Sequence, residues 1–203
     1  MEPDQRDIIG FSIADPIEKD RWKGLVSDVE RFLEEHGLTE EVLFHGTSAR
    51  RADAILEDGL APTDLDLAVI EDEDLGGSFW GTVRSAAAYA EDTAKERDAC
   101  SPVLIMACVS DLERWAELRP DLATLDFPLK GLTRLDEDGV MDRWVAGYAG
   151  FSWQDGLRDL RAVIAIHDYP VPECYMIRID RFEDFLQAID ARFPIRGSGI
   201  DAS

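Results

Sequence analysis

Leu43-Phe44-His45-Gly46-Thr47-Ser48 is the stretch on which the reading of this chain turns. Val42 to His45 is apolar and reads as a short buried strand with His45 at its end. Ala52, Ile55 and Leu56 then recur at helical spacing until Gly59-Leu60, which predicts a helix over about Ala49–Glu57 that stops at glycine. Strand, polar motif and helix in that order set an imidazole and a glycine beside a cleft. Glycine has no Cβ, so a flat ligand can approach its amide and carbonyl, and the imidazole can hydrogen-bond a hydroxyl.

Upstream, Asp15-Pro16 suits a helix start, with Asp as cap and proline at the first helical position. Trp22, Leu25, Val26, Val29, Phe32 and Leu33 carry the apolar stripe to a stop at His36-Gly37. Downstream, 61–77 reads as an exposed acidic loop holding Asp64, Asp66 and Glu71-Asp72-Glu73-Asp74. It lacks the glycine and distal glutamate of a calcium loop. Phe79-Trp80 predicts a brief strand, Ser85 to about Lys95 a helix rich in small residues, and Val103–Val109 a central strand. The stretch 111–160 reads as a mostly helical insertion interrupted at Pro120 and Pro128. Ala162–Ile166 and Cys174–Ile179 predict two strands, and Asp180 a cap for a last helix carrying Phe182, Phe185, Leu186 and Ile189. The expected fold class is α+β, with a split, mostly antiparallel sheet and flanking helices. It forms one domain over 1–203, with 1–40 as an N-terminal helical extension.

The 43 acidic and 21 basic residues give a net charge of −22, which repels phosphate backbones and anionic membrane surfaces. Nucleic acid and membrane are therefore not expected partners. Cys100, Cys108 and Cys174 are odd in number and lack CxxC spacing, and His36, His45 and His167 lack metal-ligand spacing. Neither a disulfide framework nor a metal site is expected, and a reducing cytoplasm fits. Met1-Glu2-Pro3-Asp4-Gln5 shows no basic region leading into an apolar stretch.

The order of the blocks resembles the H-Y-E branch of the ADP-ribosyltransferases and their smaller bacterial and phage relatives, including ADP-ribosylating anti-CRISPR proteins. The islands that carry the resemblance are His45-Gly46-Thr47, a helix, an acidic loop, Phe79-Trp80, a helix with Tyr89, and then a strand. The resemblance implies an ADP-ribosyltransferase-like fold and NAD as co-substrate, with His45, Gly46, Thr47, Phe79, Trp80 and Tyr89 holding it. Phe79 and Trp80 stand where the family usually has tyrosine, which removes a hydroxyl and keeps the π-face. Two carboxylates compete for the acidic role. Glu173 precedes Cys174-Tyr175-Met176-Ile177 with one extra residue relative to the family motif, and Asp168 follows Ile166-His167 as in the anti-CRISPR relatives.

Cleavage of the nicotinamide–ribose bond passes through an oxocarbenium-like state. It requires a fixed nicotinamide, an oriented ribose and a carboxylate near the developing charge. The expectation is a mono-ADP-ribosyltransferase (a glycosyltransferase) in which His45 and Gly46 grip ribose and nicotinamide, Trp80 and Tyr89 bracket the ring, and Asp168 or Glu173 acts as the acid. The acceptor is a macromolecule, and the net charge favours protein over nucleic acid. Arg50, Arg51 and Arg84 lie near enough in sequence to meet a pyrophosphate. A toxin, a phage counter-defence factor and a housekeeping modifier would look alike. An acidic binding or inhibitor protein that lost the chemistry, and an NAD glycohydrolase, are the alternatives.

Overall fold

The computed structural model describes residues 16–64, 76–98, 100–126, 131–147 and 150–193. Helix α1 (Pro16–His36) begins at proline and ends where Gly37 turns to φ 66°. The Leu38 amide reaches back to the Leu33 carbonyl at 2.9 Å, so the helix closes with a glycine-dependent wrap. Strand β1 (Val42–Ser48) runs straight into α2 (Ala49–Asp58), for which Ser48 is the side-chain cap. Then come β2 (Thr63–Asp64), β3 (Gly76–Gly81) and α3 (Val83–Asp92), capped by Thr82 and prolonged by a π-helical turn over Thr93–Asp98. Strand β4 (Pro102–Cys108) leads through α4 (Val109–Leu112) to β5 (Glu117–Pro120) and α5 (Ala123–Asp126). The remaining elements are α6 (Val140–Gly147), α7 (Trp153–Asp159), β6 (Ala162–Ile166), β7 (Met176–Ile179) and α8 (Phe182–Arg192).

The seven strands form one sheet in the order β5-β6-β3-β1-β4-β7, with β2 attached to β3, and every recorded pairing is antiparallel. The class is α+β. One face is covered by α1, α3 and α8, whose Trp22, Leu25, Val29, Ala86, Ala90, Phe185 and Ile189 pack on Phe44, Leu104 and Met106. The opposite face packs Leu43, Ile105 and Val163 against Ala52 and Ile55 of α2 and Leu157 of α7. The alternation of faces along β1 and β4 accounts for this division.

Several expectations change. His45 does not end its strand; it lies in the middle of β1, because the ladder to β4 continues through Ser48↔Pro102. The stretch 111–160, read as mostly helical, also supplies β5, which pairs with β6 from Glu117↔Ile166 to Pro120↔Val163. Its four residues are too short for a period to show. Part of this stretch forms a separate small core around Leu135, Val140, Trp144 and Leu160. That core is pinned by buried Asp159, which accepts from the Trp144 indole at 3.1 Å and pairs with Arg143 and Arg158. Arg181, not Asp180, is the residue before α8, and its side chain makes no cap bond. Asp180 is held by Arg178 at 2.6 Å instead. Residues 173–175 form a 3-10 turn ahead of β7 rather than the start of the strand. Asp15, Pro128 and the acidic run Glu71-Asp72-Glu73-Asp74 lie outside the described residues.

Candidate ligand-binding cleft

A cleft of about 470 Å³ opens where β1 and β3 part. Seven residues of β1 pair with β4, but a single pair, Phe44↔Gly81, joins β1 to β3. Backbone direction shows what this leaves open. The Ala49 amide donates to the Ser101 carbonyl and the Val109 amide to the Glu41 carbonyl, so odd-numbered residues of β1 face β4. Phe44 and Gly46 therefore direct their amides and carbonyls toward β3. On β3, the His167 amide donates to the Gly76 carbonyl and the Thr82 amide to the Arg161 carbonyl, so Phe79 and Gly81 are the residues that face β1. After Phe44↔Gly81 the ladder would next join Gly46 to Phe79, and that pair is absent. Gly46 thus presents one donor and one acceptor to the cleft.

The His45 side chain crosses the gap instead. Its Nδ1–H donates to the Phe79 carbonyl at 2.8 Å, which fixes the tautomer, because a carbonyl can only accept. Burial holds its pKa below the ordinary value, against the opposing pull of the Phe79 carbonyl, so the ring is neutral and Nε2 is an acceptor.

Gly46 is required for a second reason. A Cβ there would stand 1.8 Å from the Ala86 carbonyl oxygen and 2.8 Å from the Ala90 nitrogen. The glycine lets α3 lie on β1, and the small residues Ala86 and Ala90 complete that approach. The missing side chain thus serves helix packing as well as ligand access.

The aromatic residues divide between the faces of the sheet. Phe79, 36 % exposed, alternates with Trp80 and lies on the α3 side, where Tyr89, 40 % exposed, also lines the cleft. Burial, reinforced by the carboxylates of Asp121 and Asp92, raises the Tyr89 pKa and keeps the phenol neutral. Trp80 is 3 % exposed and sits in the opposite core with its ring 5.7 Å from His45. The exposed pair is thus Phe79 and Tyr89, whereas Trp80 forms a wall of the slot. Trp80 is held by Ser78 and, through it, by His167. Its indole N–H donates to Ser78 Oγ at 2.8 Å, and Ser78 bonds His167 Nε2 at 2.9 Å. The alternation of Ser78 and Trp80 along β3 was the available signal for that contact.

Thr47 is buried and lines the cleft, as do Arg51 and Asp92. Arg84 is committed elsewhere, its guanidinium 2.6 Å from Glu30. Neither Asp168 nor Glu173 is on the lining. Asp168 is exposed on the loop after β6, between His167, whose amide bonds Gly76, and Val171, which bridges the lining residue Leu60. That loop stands at the β2 end of the slot. Glu173 is exposed in the following 3-10 turn. Among the described residues, no group of three or more His, Cys, Asp or Glu side chains could hold a metal, and no helix is long and apolar enough to cross a membrane. No protein-family model, curated protein or solved structure matches the chain.

Proposed function

We propose that the cleft binds NAD by its nicotinamide–ribose end and that the protein is an ADP-ribosyltransferase with an ADP-ribosyltransferase-like fold. The observation that carries this reading is the unpaired Gly46 on the open edge of β1, beside the acceptor Nε2 of His45 and the exposed faces of Phe79 and Tyr89. A primary carboxamide offers one donor and one acceptor in a plane, as a β-strand residue does, and can take the place of the missing strand partner. The attached ring is then received by Phe79 and Tyr89. A ribose hydroxyl donates to His45 Nε2.

Transfer breaks the bond between ribose C1′ and the nicotinamide nitrogen, and the electron pair leaves with neutral nicotinamide. The acceptor atom bonds C1′ and gives its proton to a base. The candidate carboxylates to balance the developing charge are Asp92, on the lining, and Asp168, on the loop after β6. The acceptor is a protein, in keeping with a net charge of −22 that disfavours nucleic acid.

A second reading is favoured by the position of Asp168 and Glu173 off the lining: a protein that binds the ligand without transferring ADP-ribose. The two readings separate on nicotinamide release from NAD, with and without cell lysate, alongside calorimetric NAD binding. Lysate-dependent release that is lost in His45→Ala and in one of Asp92→Asn, Asp168→Asn or Glu173→Gln supports the transferase and names its acid. Release without lysate points to transfer to water. Binding without release supports the second reading, and absence of binding removes both.

A further inference from the structure

Ser78, Trp80 and His167 form a buried chain of hydrogen bonds whose proton positions admit one arrangement while the imidazole is neutral. The Trp80 indole nitrogen is a donor only, so Ser78 Oγ accepts from it at 2.8 Å. Because the Tyr169 carbonyl can only accept, the ring proton of His167 sits on Nδ1, and Nε2 of the neutral ring accepts the Ser78 hydroxyl proton at 2.9 Å. His167 Nδ1 carries the ring proton and donates to the Tyr169 carbonyl at 2.8 Å. All three residues are buried. Burial favours the neutral imidazole this arrangement needs, against the pull of the Tyr169 carbonyl and of the Asp168 carboxylate, the charged group that acts on the ring. The chain joins a wall of the cleft to the loop that carries Asp168 and that reaches Leu60, a lining residue, through Val171.

We propose that Ser78 and His167 are positioning residues: through their hydrogen bonds they set the plane of the Trp80 indole against His45 and tie it to the loop that carries Asp168. For its effect on ligand, this proposal rests on the NAD reading above. Protonation of His167 would turn Nε2 into a donor and leave the buried Ser78 hydroxyl proton without its acceptor, so the arrangement loosens as the ring is charged.

The test uses the indole N–H resonance of Trp80, assigned as the one missing from the Trp80→Phe spectrum, together with NAD affinity by calorimetry. Ser78→Ala and His167→Ala should shift that resonance and weaken NAD binding about tenfold each, the size expected for one lost buried hydrogen bond. His167→Gln, whose amide oxygen can still accept from Ser78, should restore most of the affinity. Ser78→Ala should cost nothing further in a Trp80→Phe background, because the effect passes through the indole. An unmoved resonance overturns the proposal. So does affinity that is unchanged in Ser78→Ala while Trp80→Phe weakens it, or a full extra loss in the double variant. If the wild-type protein binds no NAD while the resonance shifts as expected, the NAD reading fails and the positioning of the indole stands.

Discussion

The two edges of β1 are built from the same seven residues and have opposite fates. Toward β4 the ladder is complete from Val42↔Cys108 to Ser48↔Pro102; toward β3 it closes at Phe44↔Gly81 and opens at once. The closed edge is stabilised by side chains on both faces of the sheet: Ile105 and Val103 on one, Leu104 and Met106 on the other, all essentially sealed from water. Along the open edge, β3 turns its far end to β2, through Thr63↔Gly77 and Asp64↔Gly76, and α3 lies on Gly46. A strand edge that is unpaired is usually a hazard. Here it lies within the sheet, crossed by His45 and opening on the cleft, so it can receive a ligand without recruiting another chain.

The largest effect should come from the closed edge. Ile105→Ala removes a fully buried side chain from β4, opposite His45, and should cost about 2–5 kcal/mol in denaturant unfolding. A loss below that range would mean that the β1–β4 seam is less important to stability than its burial indicates. Gly46→Ala strikes the open edge. Its Cβ would meet the Ala86 carbonyl oxygen, so α3 must shift, at a cost of about 1–3 kcal/mol and with loss of NAD binding. If Gly46→Ala keeps wild-type stability and affinity, the packing of α3 on β1 does not shape the cleft.

The smallest effect is a pH dependence carried by His45 on the open edge and by His167 beyond β3. Burial depresses the pKa values of His45 and His167 below the ordinary 6.5, so the unfolded chain binds more protons than the folded one between the two values. Their contribution to stability is complete above about pH 6.5 and is lost as the pH falls through the folded values. Denaturant midpoints should therefore decline on acidification from about pH 7.5 to about pH 5, and the double variant His45→Gln/His167→Gln should flatten that decline. An unchanged slope in the double variant would assign the acid loss to the many paired carboxylates.

The helices α1, α2 and α8 were legible because their apolar positions recur at helical spacing, α3 from its run of small residues, and the strands β1, β4 and β6 from short continuous apolar runs. β5 was not, because four residues ending in proline carry no period. His45, Gly46, Thr47, Phe79, Trp80 and Tyr89 were legible as site candidates from their order along the chain, and the fold brings all six to one cleft. The role of each was not legible. Trp80, expected with Tyr89 to bracket the ring, is buried, whereas Phe79 is exposed beside Tyr89, because the register of β3 in the sheet decides which of two adjacent aromatic rings faces the core.

The sequence by itself determined the class of the fold and the net negative charge, because periodicity and charge are local properties, and the order of its blocks pointed to six residues that meet at one cleft. Only the tertiary structure decided where the sheet opens, that Gly46 serves helix packing as well as the cleft, and that Asp168 and Glu173 stay off the lining. It alone joined His45 to the Phe79 carbonyl across 34 residues and Ser78 to His167 across 89. Contacts at such separations depend on strand order and register, which no single segment of the chain encodes.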